Sequence, residues 1–216
     1  MGNVDPHPDG SGLEIALKRL LDKIWATKGS RFNAHRRLLG KHSASQFALA
    51  VLSIYAIAAS VATLVLPPAK YPNLLPAMSA GTIVASVFIL VQSLLESAKN
   101  YQLRAHQMQR CGEKLSEMYN VLSAERDLGV VTQERYLAAV ETYSEILADY
   151  PENHGDIDYL LFTSQHRRRN KNAVDGWIDA RWQAFKNVVH MWGSSSLYIA
   201  APPVAIFGAA RWLQLY

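Results

Sequence analysis

The chain has 216 residues, with 22 Lys and Arg against 18 Asp and Glu and a formal net charge of +4. The charge is unevenly placed: residues 46–95 hold Lys70 as their only ionic side chain. A basic excess crowded beside an apolar block points to topology and anionic lipid headgroups, and argues against nucleic acid as its cause. The single cysteine, Cys111, excludes an intramolecular disulfide and suits a cytoplasmic setting for its part of the chain.

Residues 1–12 are turn-formers and polar residues, expected to form a disordered tail. Pro6 stands where an N-myristoylation motif needs Ser or Thr. Residues 13–45 follow as an amphipathic helix and a lead-in. Leu13, Leu17, Leu20, Leu21 and Ile24 recur at helical spacing, with Lys18, Arg19, Asp22 and Lys23 opposite. Such a face packs either on other helices or on the inner leaflet, and packing is the favoured reading. Gly29-Ser30 is expected to break this helix. Arg31 to Ser45 then leads helically into the apolar block.

Residues 46–95 contain two charge-free runs, Gln46–Leu66 and Leu74–Leu95, separated by Pro67-Pro68-Ala69-Lys70-Tyr71-Pro72-Asn73. About 20 apolar residues in a helix cross the ~30 Å hydrocarbon core of a bilayer, and each run has that length. The pattern predicts a transmembrane helical hairpin. Arg31, Arg36, Arg37 and Lys41 precede the first run, and Lys99, Arg104 and Arg110 follow the second. Positive flanks stay inside, which predicts a cytoplasmic N-terminus and an inner-membrane, multi-pass chain. Ala77, Gly81 and Ala85 recur four apart, a spacing that lets helix backbones approach closely in lipid. Ser53, Ser60, Thr63, Thr82, Ser86 and Gln92 add hydroxyls and one amide. These side chains serve either packing between spans or the lining of a weakly polar pore in a homo-oligomer. Neither run contains an ionisable residue, which weakens a transporter reading.

Residues 96–172 read as a cytoplasmic antiparallel helical hairpin. No proline lies between Ser93 and Ala124, so the second span is expected to continue unbroken into it. Met108, Cys111, Leu115, Met118 and Leu122 form a heptad seam. Asp127-Leu128-Gly129 stops that helix and Thr132 caps the next. Tyr136, Val140, Tyr143, Leu147 and Tyr150 supply the matching seam up to Pro151. A polar loop, Glu152-Asn153-His154-Gly155, leads to Asp156, a candidate cap, and to the apolar run from Tyr159. Its acids and histidine match no metal-ligand spacing.

The charge-free hairpin, the long helix after it, Arg135-Tyr136 through Tyr143-Ser144-Glu145-Ile146-Leu147, and Tyr150-Pro151-Glu152-Asn153-His154 with Ile157-Asp158-Tyr159 together resemble the SLATT family. These are the SMODS- and SLOG-associating two-transmembrane effectors of bacterial conflict systems. The resemblance covers about residues 13–169. It implies a membrane effector that forms pores or otherwise disrupts the membrane. It also implies a sensor or signal-generating partner protein from the same system. It supplies no catalytic residues; Glu152, Asn153, His154, Asp158 and Tyr159 carry over as a block without an assigned role.

Residues 173–216 hold one more amphipathic pattern, Val174, Ile178, Phe185, Val188 and Trp192, behind a basic patch at Arg167, Arg168 and Arg169. That patch reads as a solvated or lipid-facing run. Ser194 to Ala210 is uncharged and bracketed by Trp192 and Trp212, with Pro202-Pro203 at its middle. The bracket resembles interfacial aromatic belts and predicts a kinked third membrane segment, with a re-entrant or interfacial segment as the alternative. No phosphate-binding loop, dinucleotide fingerprint, zinc motif or nucleophile elbow occurs, and no cofactor is expected. The sequence thus predicts an all-α membrane protein, not an enzyme: a transmembrane hairpin, a cytoplasmic helical hairpin and a third C-terminal membrane segment. The expected function is a pore-forming or membrane-disrupting effector of an anti-phage or conflict defence system. The alternative is an anchor or scaffold that recruits a cytoplasmic defence enzyme or nucleic acid.

Overall fold

The computed structural model describes residues 9–153 and 155–167, with isolated positions between 181 and 200. The tail before Asp9, His154, Arg168, Arg169 and the 194–210 segment named above lie outside the described residues, apart from Ala200. Five α-helices make up the described chain: α1 (Asp9–Val65), α2 (Leu74–Ala98), α3 (Tyr101–Asp127), α4 (Gln133–Asp149) and α5 (Asp156–Arg167). Contacts divide the chain into two units, Met1–Arg36 with Leu103–Ala184, and Arg37–Gln102 with Phe185–Tyr216.

The first unit holds a core of side chains from three helices. Leu17, Leu20, Leu21 and Ile24 of α1 pack with Cys111, Leu115 and Leu122 of α3 and with Ala139, Tyr143 and Ile146 of α4. The amphipathic face of α1 is therefore covered by helices rather than left for a leaflet. The α3 seam is buried as its spacing predicts, with Met118 at its edge. On α4 the buried line keeps Tyr143 of the predicted seam but runs through Ala139 and Ile146, each one residue before the predicted Val140 and Leu147. Ala139, Tyr143 and Ile146 are innermost, and Tyr136, Val140, Leu147 and Tyr150 flank them. Lys114 pairs with Asp149 at 3.0 Å and Arg135 with Glu125 at 2.8 Å, which runs α4 back along α3.

The turn between these helices closes by local chemistry. Gly129 adopts φ +68°, which glycine takes without steric cost. Its N–H donates to the Arg126 carbonyl, and the Val130 N–H donates to the Glu125 carbonyl. These two bonds cap the last carbonyls of α3. Thr132 then accepts the Arg135 N–H on its hydroxyl at 3.2 Å and starts α4.

The sequence expectations fail at three points. α1 begins at Asp9, so part of the predicted tail is helical. Gly29-Ser30 does not break α1, which runs unbroken for 57 residues, roughly 85 Å at 1.5 Å per residue. Ser30 is fully buried and its hydroxyl donates back to the Ala26 carbonyl at 2.9 Å. Gly29 faces the Phe162 ring so closely that an added Cβ would lie 1.9 Å from Cε2. The two small residues mark a helix contact, not a helix end. Finally, α2 does not continue into α3. Lys99 caps α2, with its N–H on the Glu96 carbonyl, and Asn100 adopts φ +48° before α3 begins. Asparagine tolerates this left-handed conformation better than most residues, which makes an internal break possible without glycine or proline.

The second unit contains the apolar block. Leu38, Ala44, Ser45, Ala48 and Leu52 are buried along one side of α1, and Leu75 and Glu96 on α2. The Gln102 amide donates to His42 at 2.9 Å, and Lys99 pairs with Glu96. Elsewhere the apolar side chains are outward: Ile54, Ile57, Val61, Leu64 and Val65 on α1, and Ile83, Val84, Val87, Leu90 and Leu94 on α2, are each more than half exposed.

Candidate functional site

The Glu152–Tyr159 block draws two distant helices together in the first unit. Arg31, on α1, is 4% exposed. Its Nη1 donates to the Glu152 carbonyl and, at 3.2 Å, to Met108 Sδ on α3. Arg104, in the first turn of α3, donates through Nε to Glu152 Oε1. Glu152 thus offers its backbone to α1 and its carboxylate to α3. Two atoms of this set, Arg31 Nε and Glu152 Oε2, are buried without a hydrogen-bond partner.

Asp158 is the block's buried acid, at 1% exposure, whereas Glu152 is half-buried. Its Oδ2 accepts the Gly155 N–H at 3.0 Å, while its own N–H donates to the Gly155 carbonyl. This reciprocal arrangement starts α5, so Asp158 does the capping expected of Asp156, which is itself the first residue of the helix. The Asp158 carbonyl accepts from Asn33 Nδ2 at 3.1 Å, and Asn33 Oδ1 accepts from Arg36 at 2.8 Å. His35 Nδ1 donates to the Ala105 carbonyl at 2.9 Å. Tyr159 is about half exposed and Asn153 is exposed.

One turn further along α5, Phe162 is 6% exposed. Its ring stands edge-on to Trp25 at 4.5 Å, and His166 lies 4.2 Å from both rings. His166 Nδ1 donates to the Phe162 carbonyl at 2.8 Å. Bare backbone at Gly29 is what admits the Phe162 ring. Arg31, Asn33, Arg104, Trp25 and Gly29 carry no sequence signal for this role, since each meets its partner across a long stretch of chain.

Outside this clasp, an open groove of about 440 Å³ runs between α3 and α4, floored by Met118, Leu122, Ala139 and Ile146 and edged by Lys114, Glu117 and Arg135. Hydrogen bonding to Asp149 raises the Lys114 pKa above the ordinary lysine value. Burial lowers that of Lys28, whose ammonium sits 4.1 Å over the Tyr119 ring, and burial raises that of the Cys111 thiol. Among the described residues no group of three or more His, Cys, Asp and Glu is placed to hold a metal ion.

In the second unit each hydroxyl with a described bond turns back to its own helix. Ser53 donates to the Leu49 carbonyl, Ser60 to Ala56, Thr63 to Ser60, Thr82 to Ser79 and Ser86 to Thr82, all between 2.7 and 2.9 Å. Ala77 and Gly81 are exposed and Ala85 half-buried; a Cβ on Gly81 would meet nothing within 4 Å. Gln92 is half-buried, and Arg167 is the last residue of α5.

Two helices are long and apolar enough to cross a membrane, and only 11% and 6% of their most apolar windows are buried. A soluble core would bury such windows, so the described residues are those of an all-helical membrane protein with two candidate spans. A family model described as SMODS and SLOG-associating 2TM effector domain family 5 matches residues 14–208. The chain belongs to that family, the SLATT membrane effectors of conflict systems, whose name records association with SMODS and SLOG partners. Comparison with curated proteins and with solved structures finds no match.

Proposed function

We propose that this chain is the membrane-disrupting component of a bacterial defence system and acts as a homo-oligomeric pore. Its N-terminus is cytoplasmic, α1 and α2 cross the inner membrane as a hairpin, and the helical domain receives a trigger from a cytoplasmic partner. It uses no catalytic step and no cofactor. The observation that carries this reading is the pair of apolar helices left almost wholly uncovered by their own chain. The small-residue stripe, exposed at Ala77 and Gly81 and half-buried at Ala85, supports close approach of a second copy. A partner drives opening only by binding the open arrangement more tightly than the closed one.

A second reading, a scaffold without a pore, draws on the span hydroxyls, which need no water because their own backbone satisfies them. Membrane potential in bacteria separates the two, measured after induced expression with and without the neighbouring genes. Depolarisation that precedes loss of viability and depends on a neighbour supports the pore. A steady potential under every trigger, with insertion verified, leaves the scaffold.

A further inference from the structure

The clasp leaves one buried donor and one buried acceptor unfilled on opposite partners, Arg31 Nε and Glu152 Oε2. A buried polar atom without a partner costs free energy, more so on a charged group, so a contact that fills both atoms at once is favoured. Glu152 already touches Arg31 through its backbone, so a turn of its side chain about its own bonds is the least movement that joins the two. Arginine offers Nε and Nη as a fork that fits a carboxylate. That move would take the carboxylate away from Arg104.

Arg104 lies in the first turn of α3, immediately after the left-handed Asn100 that ends the run of α2. A cation there opposes the helix dipole, and the Glu152 carboxylate offsets it. We propose that Glu152 is a two-position switch: in one position it holds the first turn of α3 through Arg104, and in the other it grips Arg31 and releases that turn. The switch makes the start of α3, the segment that follows the second apolar helix, sensitive to whatever displaces the 150–155 loop. It is independent of whether the spans form a pore, and its test does not read leakage.

The test is a double-substitution cycle on the full chain in lipid nanodiscs, read by amide hydrogen exchange of the 155–162 peptide and of the first turn of α3. Arg104→Met removes the tie to Glu152, which should speed exchange of the amides at 105–108, whose hydrogen bonds close that first turn. In this background, adding Glu152→Gln should speed exchange at 155–162 by about tenfold, because the carboxylate has moved to Arg31. Adding Arg31→Lys, which keeps the charge but lacks Nε, should remove the effect of Glu152→Gln. A static pair predicts the opposite: with Arg104 gone, Glu152→Gln would leave exchange unchanged or slow it, and that result overturns the proposal. If Arg104→Met does not insert, Arg104→Gln supports the same comparison with the same outcomes.

Discussion

Gly29→Ala tests whether the α1–α5 contact rests on bare backbone. Mid-helix, the substitution taken alone should stabilise by about 1 kcal/mol through helix propensity. Here the new methyl would lie 1.9 Å and 2.1 Å from Phe162 Cε2 and Cδ2, and 2.9 Å from Cζ. The ring cannot simply swing aside, because Trp25 and His166 stand 4.5 Å and 4.2 Å from it. Unseating it forfeits most of the burial of a Phe, about 1.5–3 kcal/mol. The edge-to-face pair adds about 0.5–1.5 kcal/mol. The loss exceeds the gain, so the contact should weaken by about 1–3 kcal/mol, roughly five- to 150-fold in the opening of α5. Amide exchange of the α5 peptide in nanodiscs reads this directly. Gly81→Ala is the control, since nothing lies within 4 Å of its Cβ. In a Phe162→Ala background the sign should reverse, and Gly29→Ala should slow exchange. Unchanged or slower exchange in the otherwise native chain would refute the steric argument.

Thr132→Ala should lower the stability of the α3–α4 pair by about 1 kcal/mol, seen as faster exchange at the start of α4, whereas Thr132→Ser should not. Cys111 should resist maleimide in the folded chain and react only at the rate of opening, because the thiol is wholly buried and its pKa raised; rapid native labelling at mild alkaline pH would contradict that burial. The sign of its pH effect follows: the unfolded thiol ionises first, so stability from the buried neutral thiol is full below pH 9.0 and falls as pH rises through the higher folded value. Lys114 behaves alike with a charged partner: its contribution stands below the ordinary value of 10.5, is lost as pH rises through the raised folded value, and should shrink in Asp149→Asn, where Tyr150 alone still raises it. In the membrane, Gly81→Leu should abolish triggered depolarisation while leaving insertion intact, since the bulk falls where copies would approach; a full response would remove that face from the interface.

What was legible in the sequence is what short-range chemistry decides. The α3 seam, the Gly129 stop and the Thr132 cap each depend on residues within a few positions, and each is where spacing placed it. The two spans were legible because lipid demands a run of apolar residues whatever packs on them. Gly29-Ser30 misled because glycine and serine read as a break when nothing indicates a partner. The partner, Phe162, is far along the chain, and its ring turns the same residues into a close-contact surface. Asn100 was hidden for the converse reason: a lone asparagine inside a helical pattern gives no warning that it sits at φ +48°. The clasp was half legible. The Glu152 to Tyr159 block stood out as a unit, but Arg31 and Arg104 looked only like topology-setting cations beside the spans.

The spans themselves carry an energetic consequence. Their described hydroxyl bonds end on carbonyls three or four residues earlier in the same helix, so either helix keeps these bonds if it rotates or shifts against a neighbour. Two packings of such helices therefore differ mainly in van der Waals contact and lipid exposure, terms that change by small steps. In the proposed pore, a closed and an open assembly built this way would lie close in free energy. A partner that prefers the open arrangement by about 5.5 kcal/mol, roughly 10⁴-fold in affinity, would take a population from 1:99 to 99:1. The cost of specificity falls on the helical domain, where Glu152, Asp158 and Phe162 fix one arrangement through named bonds and a filled cleft. Under the proposed function, signal recognition would belong to that tightly specified part and the response to the loosely specified spans.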